Sequence, residues 1–171
     1  YQEDNAWTWE HQALLRSRPV AGSAAIGREF EKIRANTLQR RIRRDSLLED
    51  VLSMRSKMRA QLDKSTEASF DLKQGEGGIG DIEFLVQYLV LRHAASHPEL
   101  IYYSDNIRQL GALGAVGVLP AGDVARLQAI YRAYRLTTHR LALDDRAPVV
   151  PATEYPDERE FVRTVWLREM R

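Results

Sequence analysis

The chain has 171 residues, of which 44% are hydrophobic and 29% charged, a composition that suits one globular domain and excludes a disordered segment. Its 25 Lys and Arg nearly balance 24 Asp and Glu, and the net charge of +1 excludes a long-range field that would attract nucleic acid or acidic lipid. The absence of cysteine excludes disulfides and thiolate metal sites, and is compatible with a cytoplasmic protein.

Apolar residues recur at helical spacing along most of the chain, and no segment has the pattern of a convincing strand. Pro19 ends the first helix, Ser23 caps the second, and Ser104 with Asp105 caps the fifth. The expected helices cover about residues 4–18, 23–38, 45–64, 79–97, 105–113 and 120–143, with a short last helix around residues 161–166. The sequence therefore predicts an all-α fold, a single bundle of six or seven helices.

The start of the chain, its longest apolar run and its basic connector indicate which partners can be expected. Tyr1 stands where an initiator Met would be, which suggests that the chain was cut from a longer protein, and no signal peptide opens it. The longest apolar run, Phe84 to Leu91, is far shorter than the roughly 20 residues of a membrane helix. The basic connector QRRIRRD lacks interleaved aromatic residues, so a solvated connector is favoured over a nucleic-acid site. We expect neither a membrane nor a nucleic acid as partner.

The segment GEGGIGDIEFLVQYLVL, residues 75–91, can be interpreted in two ways. In a strand, Asp81 and Glu83 would point to one side and could share a metal ion, whereas in a helix they point to different sides. Helical periodicity prevails, because apolar residues form two stripes on opposite sides, one of Ile79, Ile82, Val86, Leu89 and Val90 and the other of Phe84, Tyr88 and Leu91. A helix that is apolar on two sides is expected at the centre of the bundle.

No metal site is expected elsewhere in the chain. His93 and His97 are four residues apart, as in a zinc pair, but no acidic general base of the His-Glu-x-x-His type accompanies them. A histidine near the end of a helix is favoured by the helix dipole.

Glu83 lies between the two apolar stripes, where an ionised carboxylate needs a partner. On the third helix Arg55 falls inside the apolar stripe and Arg59 beside it, and a guanidinium in such a place meets a carboxylate or a phosphate. We therefore expect a buried Glu83 to form an ion pair with Arg55 in preference to Arg59. A ligand-facing role for Glu83 remains open, because structural ion pairs and functional sites give the same signal. Asp81 is expected to be a first-turn carboxylate that the helix dipole favours.

The glycine-rich loop is a candidate phosphate contact. The sequence DLKQGEGGIGD places Lys73 and several backbone N–H groups, including those of Gly77 and Gly78, ahead of a helix N-terminus. The loop lacks the Walker order of Gly-Lys-Ser, so the motif is weak.

Four segments resemble the bacterial glutamine synthetase adenylyltransferase family: AWTWEHQALLRSRPV, VLSMRSKMRAQL, FDLKQGEGGIGDIEFLVQYLVLRHA and YYSDNIRQL. The likeness runs from about Asn5 to about Trp166 and is to the helical segment after that family's C-terminal nucleotidyltransferase domain. It implies a parent enzyme that uses ATP and magnesium to transfer AMP onto a tyrosine of glutamine synthetase, and that responds to glutamine and the PII signalling protein. By similarity, Lys73, Asp81 and Glu83 would face the catalytic cleft, with Gly77 and Gly78 as further nucleotide-facing candidates.

The chain lacks the Gly-Ser turn and the Asp-x-Asp strand of the family's catalytic domain. Gly22-Ser23 opens a helix, and no strand surrounds Asp144-Asp145. Residues 1–171 are thus expected to be the helical C-terminal lobe, with the catalytic domain upstream of residue 1, no catalytic or metal-binding residue, and no ATP or magnesium bound by the lobe alone. The expected partners are the upstream domain, glutamine synthetase and, as a further candidate, the PII protein. The alternative is an independent helical interaction module that senses glutamine or PII.

Overall fold

The structure is a computed structural model and describes residues 6–40 and 45–171. Over these residues it contains seven α-helices, which confirms the predicted all-α bundle. The helices are α1 (Thr8–Arg16), α2 (Ala24–Arg40), α3 (Leu47–Leu62), α4 (Ile79–His93), α5 (Asn106–Ala115), α6 (Ala121–Leu143) and α7 (Pro156–Glu169). Two short strands, β1 (Ser69–Asp71) and β2 (Val149–Pro151), and a 3-10 helix (Pro98–Ile101) complete it.

Helix α4 is the centre of the bundle, as its two apolar stripes predict. Ten of its fifteen residues are buried, and it packs against α1, α3, α5, α6 and α7. Surrounding helices bury one face each, as α6 does with Val124, Leu127 and Ile130. Across the described residues, no helix combines the length and apolar character needed to cross a membrane.

Several helix ends differ from the prediction. Helix α4 ends at His93 rather than near His97, and Pro98 begins the 3-10 helix. The residue before a proline is disfavoured in the α region, and His97 accordingly has φ −129° and ψ 77°. The predicted cap of α5 is confirmed, because the Asp105 carboxylate accepts a hydrogen bond from the Arg108 amide at 3.0 Å. The predicted start of the first helix and residues 41–44 of the basic connector lie outside the described residues.

The two strands were not predicted. They pair antiparallel, with Phe70 opposite Val150, and join the segment that follows α3 to the segment that follows α6. Three residues are too few to show the alternation that marks a strand in a sequence. The buried Phe70 ring meets Tyr134 of α6 edge-on at a centroid distance of 5.9 Å, so this small sheet rests on the core.

Candidate functional site

The glycine-rich segment meets α3 around the carboxylate of Asp81, in the first turn of α4. Its Oδ1 accepts hydrogen bonds from Arg55 Nε and Arg59 Nη2, both at 2.7 Å. Its Oδ2 accepts from Arg59 Nη2 at 2.9 Å and from the Gly77 amide at 2.7 Å. The side chains of Arg55 and Asp81 are only 1% and 2% exposed, whereas that of Arg59 is 30% exposed. Asp81 is therefore a buried, fully engaged carboxylate that joins α3, α4 and the loop.

Arg55 makes further contacts that fix the loop. Its Nη1 donates to the Gln74 side-chain oxygen at 3.0 Å, and its Nη2 donates to the Gln74 carbonyl at 2.9 Å. The guanidinium also lies 5.8 Å from the centroid of the Phe84 ring. Because each guanidinium nitrogen has an acceptor, Arg55 can remain charged in the core.

The loop amides that could have bound phosphate donate within the fold instead. Four consecutive N–H groups have internal acceptors: Gly77 donates to Asp81 Oδ2 at 2.7 Å, Gly78 to the Gly75 carbonyl at 3.0 Å, Ile79 to the Leu72 carbonyl at 2.8 Å and Gly80 to the Lys73 carbonyl at 2.9 Å. Gly77, Gly78 and Asp81 are also buried. Their polar groups are thus directed into the fold, while Lys73 is exposed.

Asp71 shapes the start of the loop, and sequence reasoning missed it. Its Oδ1 accepts from the amides of Lys73 at 2.8 Å and Gln74 at 3.0 Å, and its Oδ2 accepts from the Lys64 amide at 3.2 Å. The side chain thereby imitates a backbone turn, the behaviour for which aspartate is favoured before tight loops. That preference was the signal in the sequence that could have identified it.

The predicted ion pair between Arg55 and Glu83 is wrong, since Arg55 binds Asp81. Asp81 and Glu83 lie about 200° apart around α4, so only one of them can face α3. The one that does is Asp81. Glu83 is also half-buried rather than buried, with 26% of its side chain exposed.

Glu83 instead joins α4 to three other helices. Its Oε1 accepts from the Tyr131 hydroxyl at 2.8 Å and from Asn106 Nδ2 at 3.1 Å, and it lies 3.6 Å from Arg16 Nη1. Asn106 Nδ2 also donates to the Tyr131 hydroxyl at 2.9 Å. These contacts reach α6, α5 and α1, so the role of Glu83 inside the described fold is to connect helices.

The environment of the Tyr131 hydroxyl predicts how the unfolding free energy depends on pH. Burial and the Glu83 carboxylate raise the pKa of this hydroxyl above its ordinary value of 10.0. A raised folded-state pKa stabilises the protein below the unfolded pKa, and this contribution is lost as pH rises through the folded-state pKa. Relative to Tyr131→Phe, the unmodified chain should therefore lose unfolding free energy as pH rises above 10.0. Urea denaturation of both proteins between about pH 8 and about pH 11 measures the difference. Parallel profiles would contradict the assignment.

The described residues do not fit a magnesium site. None of their His, Asp and Glu side chains form a group of three or more that could hold a metal ion. Both oxygens of Asp81 accept from N–H donors, and His97 lies 3.5 Å from Glu99 rather than next to a ligand set.

Comparisons with known proteins extend over nearly the whole chain. The family model described as GlnD PII-uridylyltransferase matches residues 45–148, and the one described as Glutamate-ammonia ligase adenylyltransferase matches residues 1–33. Three curated relatives are named bifunctional glutamine synthetase adenylyltransferase/adenylyl-removing enzyme. They come from Thioalkalivibrio sulfidiphilus (48% identical over 99% of the chain), Hahella chejuensis (46% over 97%) and Pseudomonas aeruginosa (44% over 100%). The chain covers only 18% of the length of each of these three relatives.

Proposed function

Because the chain belongs to the family that the GlnD PII-uridylyltransferase model describes, with glutamine synthetase adenylyltransferases as its relatives, we propose that it is a non-catalytic helical lobe of such an enzyme. It would support a nucleotidyltransferase domain, upstream of Tyr1, that transfers AMP from ATP to a tyrosine of glutamine synthetase. ATP and magnesium would belong to that domain. The parent enzyme would then act in nitrogen regulation, in the cytoplasm.

The buried contact between Asp81 and the two arginines is the observation that supports this proposal. An acidic residue that serves metal or proton chemistry needs an oxygen directed to the reacting groups. Asp81 has both oxygens directed to Arg55, Arg59 and Gly77 inside the fold. Asp81 thus holds α3, α4 and the glycine-rich loop together, a structural role that is expected of a supporting lobe.

The isolated chain is expected to show no adenylyl transfer. Purified glutamine synthetase would be incubated with radiolabelled ATP, magnesium and this chain, with the complete enzyme as the positive control. We expect label on glutamine synthetase only with the complete enzyme, because the chain would supply no metal-binding carboxylates. Transfer of AMP by the chain alone would refute the non-catalytic role.

Lys73 and Glu83 remain our candidates for the face turned to the cleft. Lys73 is exposed on the loop ahead of α4, and Glu83 is half-buried. In the complete enzyme, Lys73→Met should lower AMP transfer about tenfold or more while the melting temperature stays unchanged, as expected for the loss of a phosphate contact. The exposed Lys57→Met on α3 is the matched control. If both variants transfer AMP equally well, Lys73 does not face the cleft.

One observation favours the alternative, a module that senses glutamine or the PII protein. An apolar groove of about 570 Å³ lies between the 3-10 helix, α5 and α6, with Tyr102 79% exposed at its edge. Its wall includes Ile107 and Val116, and its cation, Arg108, is paired with Asp105. Calorimetric titration of the chain with glutamine, and separately with a PII protein, tests this function. Binding that Tyr102→Ala abolishes would support it, and heat of dilution alone would reject it.

A further inference from the structure

The outer face of α6 carries a regular row of exposed residues that the fold does not use. The inner face of the helix is buried in the core through residues such as Leu127, Tyr134 and Leu141. The opposite face follows alternating steps of four and three residues, the spacing with which a helix packs along a second helix. The row consists of Ala125, Ala129, Arg132, Leu136, His139 and Leu143, all exposed.

Two features show that this outer row is more than an ordinary solvated surface. Leu136 is 51% exposed and Leu143 is 87% exposed, one heptad apart on the same side. Ala125 and Ala129 are small, so another backbone can approach the first half of α6 closely. The row therefore has the shape of a packing surface for a helix, with room at one end and apolar side chains at the other.

The charged side chains around the outer row are all arginines, with Asp123 before this stretch of α6 and Asp144 and Asp145 after it. From Val124 to Leu143 the sequence contains Arg126, Arg132, Arg135, His139 and Arg140 but no Asp or Glu. Arg126 lies over the Phe161 ring at 4.1 Å, and Arg135 donates to His139 Nε2 at 3.2 Å. Within residues 6–40 and 45–171, the ion pairs of the structure involve none of Arg132, Arg135 and Arg140.

These uncompensated guanidinium groups determine which helix can cover the row. A second copy of this chain would bring its own α6 arginines against them, and like charges in contact are unfavourable. A membrane surface is a poorer fit, because helices that lie in the interface use a broad apolar face with large side chains. Here two leucines and two alanines form only a narrow apolar strip, and the large apolar side chains of α6 such as Leu127, Tyr134 and Leu141 are in the core. A helix with its own narrow apolar strip, flanked by Glu or Asp, complements both the shape and the charge.

We propose that the outer row of α6 is a docking surface for an acidic amphipathic helix of a partner protein. Leu136 and Leu143 pack against the apolar strip of the partner helix. Arg132 and Arg140 pair with carboxylates on either side of that strip, and Arg135 extends the positive edge. This surface lies apart from the buried Asp81 contacts, and the inference does not depend on the proposed adenylyltransferase role.

A synthetic helical peptide with leucines at heptad spacing and flanking glutamates serves as the probe. Its fluorescence anisotropy would be followed as the 171-residue chain is added, alongside a scrambled peptide of the same composition. Only the heptad peptide should bind, and its affinity should fall as salt is raised. The double variant Arg132→Gln/Arg140→Gln, and separately Leu136→Gln, should each weaken binding about tenfold or more.

Matched controls use exposed residues elsewhere. Arg28→Gln/Lys57→Gln removes two exposed cations from α2 and α3, and Leu167→Gln alters a leucine of α7 that is 60% exposed. These variants should bind the peptide as the unmodified chain does, and circular dichroism should show that every variant is folded. Equal binding of the scrambled peptide, equal weakening by the controls or no binding of the heptad peptide would each overturn the proposal. Self-association abolished by Leu136→Gln would identify a second copy as the occupant instead. Arg132-dependent binding to phosphatidylserine vesicles, tighter than to the peptide, would identify a lipid surface and would also overturn it.

Discussion

Replacement of Asp81 by asparagine should lower the unfolding free energy by about 3 to 5 kcal/mol, the usual cost of removing one partner from a buried ion pair. The Arg55 guanidinium is 1% exposed, and its remaining contacts, with Gln74 and the Phe84 ring, are with neutral groups. Its charge would then be buried without a counter-charge. The loss of the counter-charge would cost less at Arg59, because 30% of its side chain is exposed to water.

A double-mutant cycle separates the ion pair from general disruption. Arg55→Met combined with Asp81→Asn should cost clearly less than the sum of the two single variants, because the second change removes the charge that the first leaves unpaired. Chemical denaturation of the three variants gives the coupling directly. Glu83→Gln is the control on the same helix, and its effect should be small because Glu83 is half-buried. Additive losses at Arg55 and Asp81 would show that the pair does not join the helices.

Gly77→Ala should be similarly severe, with an expected loss of about 2 to 5 kcal/mol from backbone strain and steric overlap together. Gly77 has φ +81°, which side chains other than glycine rarely adopt. A Cβ atom at this position would lie 2.6 Å from the Arg159 carbonyl oxygen and 2.9 Å from its Cα atom, and both belong to the backbone of α7. The amide of Gly77 also donates to Asp81, so a shifted loop would weaken the ion pair as well.

Substitutions at two other glycines separate the cost of backbone strain from the cost of steric overlap. Gly117 has φ +75° but open space around the position of a Cβ, so Gly117→Ala reports the backbone strain alone, about 1 to 2 kcal/mol. Gly122 lies inside α6 in open space, and Gly122→Ala should be neutral or stabilising by about 0.5 to 1 kcal/mol. Thermal or urea denaturation of the three variants should rank them in that order. A Gly77→Ala variant no less stable than Gly117→Ala would show that the loop can move away from Arg159.

The sequence alone predicted the helices in order and the central place of α4, because helical periodicity is a local property of the chain. It also predicted that Arg55 needs a buried anion. It could not decide which anion, since a helical wheel gives the angle between Asp81 and Glu83 but not the direction in which α3 lies. A favourable interaction with the helix dipole was enough to explain an aspartate at position 81. Its contact with Arg55 and Arg59 was therefore not predicted.

Backbone hydrogen bonds explain the other two differences from the prediction, which concern the glycine-rich loop and the two strands. The glycine-rich loop has the composition of a phosphate loop, but composition does not tell where its amides point, and here they point to Asp81 and to carbonyl groups of the preceding turn. The strands β1 and β2 each have three residues and pair across a large sequence distance, so neither carries a local pattern. Those features depend on the assembled fold.

The pairing of β1 with β2 has a consequence for how the chain folds. Phe70 and Val150 are separated by 80 positions, and closing a flexible loop of that length costs about 4 kcal/mol of chain entropy. Two three-residue strands cannot offset this cost from an open chain, so they can meet only after α4, α5 and α6 have already brought residues 71 and 149 together. We therefore expect the sheet to form late in folding, after helices that are neighbours along the chain have packed, and to contribute to stability more than to the folding rate.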